Sequence, residues 1–173
     1  IPLFVFPIWN IESLQDISKH YADPIIFLFM GGFFLALAIE KWNLHQRIAL
    51  NILKKTGGNG NQILLGFMIS TFVISMWISN TATTMMMFPI ALSVLKVMSR
   101  SYDKSTLGNF STAILLSIAY ASNIGGLSTI IGTPPNTAYV GFMADHMNIN
   151  ISFFQWFLFC FPLAVLILIA LYL

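Results

Sequence analysis

The sequence predicts an all-α membrane protein in which transmembrane helices accompany a re-entrant helical hairpin and a broken helix. Three observations lead there. The 173 residues are 57% hydrophobic and 8% charged, with a mean hydropathy of +0.81, whereas soluble domains carry about 25% charged residues. The apolar residues fall in continuous runs, not in the alternating segments of about ten residues that mark a membrane β-barrel. Polar stretches rich in Ser, Asn, Thr, Gly and Pro interrupt those runs at two places. Lipid is therefore the solvent, and helices are the default architecture. The net charge of +2 is too small and scattered for a nucleic-acid partner, and a single cysteine, Cys160, excludes an internal disulfide.

Residues 1–10 read as the end of a membrane helix, and 11–21 as a polar connection or short interfacial helix. Pro24 opens an apolar run to Glu40, just long enough to span, with Gly31, Gly32, Ala36 and Ala38 permitting close helix approach. Residues 41–55 mix apolar and basic side chains, as suits a helix lying along the headgroups, and Gly57, Gly58 and Gly60 break the chain. The chain starts and stops inside apolar stretches and is expected to be a fragment of a longer protein.

The middle is more specific. Residues 62–77 are apolar, 78–84 (ISNTATT) polar, and 85–98 apolar again. Arms of about 15 residues reach roughly 22 Å as helices, short of the roughly 30 Å of a full crossing, so a re-entrant hairpin over 62–98 is expected. Basic residues agree: Lys41, Arg47, Lys54 and Lys55 precede it, and Lys96, Arg100 and Lys104 follow it. The positive-inside rule places both flanks in the cytoplasm, which a single crossing would violate and two short crossings would satisfy. Glu12, Asp16, Asp23 and Asp145 fall on the other side. Residues 110–147 form one crossing broken near its middle by NIGGLSTIIGTPPN, and a plain spanning helix starts at 153.

Non-helical backbone at membrane depth cannot face lipid, because each unpaired group costs several kcal/mol. Ser79-Asn80-Thr81 and the stretch from Gly125 to Asn136 must therefore line a buried or watery cavity, as broken helices do in many secondary transporters. Freed carbonyls and Ser or Asn oxygens are hard neutral ligands that suit Na+. Helix N-termini, Thr hydroxyls and Asn amides suit an anion, and Thr81 and Thr133 both stand at expected helix starts, the latter before Pro134. Neither tip contains Asp, Glu, Lys or Arg. Bound Na+ would then supply the positive charge an anion needs, which is a physical reason for coupling.

ISNTATTMMMFPIALSV and SNIGGLSTIIGTPPN, with FLFMGGFFLALAIEKWNLHQRIAL upstream, resemble the first signature regions of the divalent anion/sodium symporters. Members of that family carry dicarboxylates, citrate or sulfate. Three separated motifs in order cover nearly the whole chain. The resemblance implies two inverted repeats, of which this chain is the first, a homodimer, and an elevator-type movement of a transport domain past a scaffold. It implies scaffold and interfacial helices over 1–60, half of a transport domain over 61–148, and a following transmembrane helix over 149–173. It also implies a sodium site at Ser75, Ser79, Asn80 and the Gly132 backbone, and a substrate carboxylate at Asn80, Thr81 and Thr133. Asn123 and Asn136 have suitable chemistry, with helix capping the competing role. The closest match in character is the bacterial dicarboxylate branch, which implies C4-dicarboxylates such as succinate and the inner membrane of a bacterium. A proton-coupled or sodium-independent carrier of citrate, sulfate or arsenite is the alternative.

Blander roles compete at several positions. Ser-Asn-Thr alone is an ordinary helix cap, Ser75 could bond its own helix backbone, and Gly125, Gly126 and Gly132 could serve packing alone. His20, His45 and His146 are too far apart to suggest a metal site, and Met85, Met86 and Met87 suit packing or lipid contact. An intramembrane enzyme is not expected: no histidine falls within an apolar arm to serve a nucleophile, and HExxH is absent from the sequence.

Overall fold

The computed structural model describes residues 2–22, 24–56, 59–99 and 104–173, without the side chains of 20, 24, 25, 29, 56 and 104–106. Asp23, Gly57, Gly58 and Arg100, used above for charge and chain breaks, lie outside the described residues, as do the side chains of His20 and Lys104.

The described residues form helices only: α1 (Pro2–Ile8), α2 (Leu14–Tyr21), α3 (Pro24–Lys41), α4 (Leu44–Thr56), α5 (Gly60–Ser75), α6 (Asn80–Met98), α7 (Lys104–Leu127), α8 (Pro134–Met147) and α9 (Phe153–Tyr172). Local chemistry sets many of the ends. Ser13 caps α2 by accepting from the Asp16 N–H at 3.2 Å. Gln62 reaches back from α5 to the Asn59 N–H at 3.3 Å. Ser152 and Gln155 bond each other's backbone N–H at the start of α9, at 3.3 and 2.9 Å, a reciprocal capping box. Asn10, Asn43 and Asn148 follow α1, α3 and α8 with φ of 50°, 51° and 55°, the left-handed conformation that asparagine tolerates and that closes helices.

Asn80–Met98, Leu107–Leu127 and Phe153–Tyr172 are long and apolar enough to cross a membrane, and Ile26–Lys41 qualifies together with Leu44–Lys55 across a 66° bend. The second hairpin arm is thus longer than its apolar run suggested: α6 has 19 residues, about 28 Å. The non-helical tip falls at residues 76–79 and not at 78–84, because α5 ends at Ser75 and Asn80–Thr84 are helical. The break in the second crossing is likewise confined to 128–133, with Asn123–Leu127 still in α7.

α5 is the centre of the assembly. Its Phe67 and Ile74 side, with Ile78 of the tip that follows, joins Ala49 of α4, Met87, Ala91 and Leu95 of α6, and Ile114 and Ile118 of α7. Its other side, Met68 and Phe72 with Met76 just past its end, packs on Ala121 and Ile124 of α7 and Ala164 and Leu168 of α9. In lipid such contacts stabilise through close packing and not through transfer from water. Small residues therefore matter where helices cross. A Cβ added at Gly125 would strike the Phe72 carbonyl, so α7 lies against α5 backbone to backbone at this level. Away from these seams the helices expose large apolar side chains, among them Phe27, Phe34 and Leu37 of α3 and Phe154, Phe159 and Leu166 of α9.

Candidate functional site

The hairpin tip and the break of the α7–α8 pair meet at one place. Ser79, in extended backbone, caps α6 by accepting from the Ala82 N–H at 3.3 Å. The helix therefore starts at Asn80, and Thr81 sits within its first turn instead of preceding it. Immediately before the tip, buried Ser75 ends α5 and bonds across to Asn80.

Ser75 Oγ lies 2.8 Å from Asn80 Oδ1 and 2.6 Å from the Ser122 carbonyl of α7. A hydroxyl has one proton to donate, so it serves only one of these two acceptors at a time, and the part-buried Asn80 Oδ1 keeps lone pairs open to another partner. Asn80 Nδ2 donates to Asn123 Oδ1 at 3.0 Å, tying the tip to α7 a second time. Thr84 Oγ1 donates to the Asn80 carbonyl at 2.9 Å and meets Ser122 Oγ at 2.9 Å. A Cβ at Gly126 would collide with the Asn80 carboxamide, so this position accepts only glycine if Asn80 keeps its pose.

The break is equally well bonded. Thr129 Oγ1 donates to the Met76 carbonyl of the hairpin tip at 2.6 Å and accepts the Gly132 N–H at 3.0 Å. Asn136, buried in the first turn of α8, donates from Nδ2 to the carbonyls of Gly126 and Thr129 at 2.9 and 2.8 Å. Thr137 Oγ1 donates to the Ile130 carbonyl at 2.8 Å. Thr133 caps α8 through extended backbone (φ −150°), with Pro134 and Pro135 opening the helix and its hydroxyl making no bond to the helix it caps. Ser128 Oγ, wholly buried, has no hydrogen-bond partner, like Thr71 Oγ1 and Thr83 Oγ1 among the described residues.

Two cavities flank the meeting point. One, of ≈ 290 Å³, is lined by Asn80, Thr81, Thr84, Met85, Ser122 and Asn123, among others. The other, of ≈ 40 Å³, lies between α3 and the tips and is lined by Gly32, Trp77, Ser79, Ile131, Gly132 and Pro134, among others. The second has room for about one water-sized occupant. Among the described residues, no ionisable side chain lines either one.

The site residues inferred from the sequence therefore divide. Ser75, Asn80 and Asn123 form one bonded cluster, Ser79 and Gly132 share the small cavity, and Asn80 and Thr81 share the larger one. Thr133 stands at the start of α8 but lines neither cavity, and Asn136 braces the break from within. Ser122, Thr84, Thr129 and Thr137 were not singled out. Thr84, Ser122 and Thr129 lie within the quoted motifs, but their partners are backbone or side-chain atoms up to 53 residues away in the chain, so the motifs alone do not assign their roles.

The family model described as citrate transporter matches residues 1–173. Sodium-dependent dicarboxylate transporters SdcS from Staphylococcus aureus strains USA300, COL and N315 are each 40% identical over 172 residues, 97% of this chain. The chain spans 33% of the length of those curated relatives. Both kinds of match name transporters and not enzymes, in keeping with the apolar helices of a multi-pass membrane protein. By its family match over the full 173 residues, and in line with the symporter motifs at the hairpin tip and the break, the chain belongs to the citrate transporter family.

Proposed function

We propose that this segment forms one half of the ion and substrate site of a carrier that couples Na+ entry to the uptake of small divalent anions, chiefly C4-dicarboxylates such as succinate. The observation that carries this reading is the oxygen cluster of Ser75, Asn80 and Ser122, in which one hydroxyl proton faces two acceptor oxygens. A small hard cation suits such a set, since hard cations take oxygen ligands. Na+ is the cation of choice because Ser79 and Gly132 add neutral oxygens beside a cavity of ≈ 40 Å³. The relatives' name, sodium-dependent dicarboxylate transporter, supports the same choice.

The anion belongs in the larger cavity, against Asn80 and Thr81 at the N-terminus of α6, with Thr133 at the N-terminus of α8 completing the site on substrate binding. Helix N-termini favour negative charge, and no lysine or arginine is needed if the ion sits alongside. Asn80 would touch both ligands, so each strengthens the other. The full carrier would add a second, inverted repeat, form a homodimer, and carry the site across a bacterial plasma membrane by an elevator movement. Within it, residues 1–60 would belong to the scaffold and 61–148 to the transport domain, with a re-entrant hairpin at 62–98. We group α9 (within 149–173) with the transport domain, because it packs on α5 and α7.

The test is uptake of radiolabelled succinate by the full-length protein in proteoliposomes, with Na+ or choline outside. Saturable uptake with Na+ alone supports the proposal. Uptake driven by a pH gradient and indifferent to Na+ would replace it with a proton-coupled carrier. The family description favours one competing substrate, citrate, which the same assay separates by competition.

A further inference from the structure

Among the described residues, Thr129 is the one side chain that joins the hairpin tip to the break while also holding the backbone of the break itself. Its hydroxyl donates to the Met76 carbonyl at 2.6 Å, one of the acceptors that α5 leaves unpaired where it ends. The same oxygen accepts the Gly132 N–H at 3.0 Å, in the strand of backbone that leads into α8. Met76 follows Ser75 in the chain, and Gly132 lines the small cavity with Ser79. One buried hydroxyl therefore fixes the distance between the two halves of the proposed cation site, and Asn136 clamps the carbonyls of Gly126 and Thr129 behind it.

We propose that Thr129 is the positioning residue that sets the register between the hairpin tip and the break, and so sets Na+ affinity without contacting the ion. This rests on the sodium reading above. Valine at 129 keeps the size and shape but removes both side-chain hydrogen bonds, leaving the Met76 carbonyl without this donor and the Gly132 N–H with only its longer bond to the Thr129 carbonyl, at 3.4 Å. Serine keeps the hydroxyl and loses only a methyl group. A purely packing role would make valine the harmless change and serine the damaging one; a bonding role reverses that order.

The experiment is Na+ titration of the purified full-length protein, followed by the Na+-dependent rise in thermal unfolding temperature, with succinate uptake measured in parallel. Thr129→Val is expected to raise the Na+ midpoint about tenfold, as losing one or two buried hydrogen bonds implies, while keeping near-normal maximal uptake at saturating Na+. Thr129→Ser is expected to titrate close to the unsubstituted protein. If Thr129→Val does not fold, Thr129→Ala removes the same hydroxyl with less crowding and is expected to show the same rise. An unchanged midpoint in whichever of the two folds, or a serine variant as impaired as valine, overturns the assignment of Thr129 alone. Absence of any Na+ stabilisation in the unsubstituted protein overturns the sodium reading and this assignment with it.

Discussion

At the scale of single residues, the site depends on a few atoms that local sequence only half announces. Ser-Asn-Thr stands out because three small polar residues interrupt an apolar run, and Ser75, Asn80 and Asn123 do converge. Ser122 and Thr129 do not stand out, because each works through a partner across the helix packing, 47 and 53 residues away in the chain. Glycines show the same contrast. Gly126 reads as a possible chain breaker, yet it is helical and needed for the approach of Asn80. Gly126→Ala is expected to cost about 1–3 kcal/mol as an overpacked contact, to lower the unfolding temperature and to abolish coupled uptake. Gly31→Ala is the control: nothing lies within 4 Å of its added Cβ, and thermal unfolding should show it neutral or slightly stabilising, by up to about 1 kcal/mol.

At the scale of elements, the number and order of helices were legible, and the extents of the polar tips were not. Residues 80–84 look like loop because four of the five are Asn or Thr. They continue α6 because Ser79 caps it and Thr84 returns its hydroxyl to the Asn80 carbonyl, hiding polarity inside the helix. Asn123–Leu127 stay in α7 for a similar reason, since the glycines there serve close packing and not a break. Nothing in the apolar run of α9 foretold that Trp156 would donate from Nε1 to the Leu127 carbonyl at 3.0 Å, where α7 ends. The same turn of α9 is anchored by Tyr139, in edge contact with Trp156 at 6.1 Å, and by Trp77 stacked on Phe153 at 6.5 Å. Trp156→Phe removes the hydrogen bond and keeps the ring. It is expected to cost about 1 kcal/mol and to speed amide hydrogen exchange across 128–133, while exchange in α6 stays unchanged.

At the scale of the whole molecule, composition alone identified the solvent and the helical class, and three motifs in order identified the family. What composition leaves open is how an anion is held without a fixed cation. Among the described residues, both cavities are lined without Asp, Glu, His, Lys or Arg. The Na+ midpoint should therefore stay flat between about pH 6 and 8, the range in which a histidine in the site would titrate. Uptake should fall in acid only as the substrate loses its second charge. A proton-coupled carrier would be expected to place a titratable group at this depth and would show a midpoint that moves with pH.

The most direct measurement is succinate affinity of the full-length protein, by calorimetry, at low and high Na+, for the unsubstituted chain and for Asn80→Ala. If Asn80 is where ion and anion meet, raising Na+ tightens succinate binding in the unsubstituted protein, and reciprocity requires succinate to tighten Na+ equally. Asn80→Ala then weakens both ligands and removes most of the dependence of one on the other. A variant that loses succinate affinity but keeps the full Na+ dependence would contradict a shared contact at Asn80 and place the coupling elsewhere in the carrier.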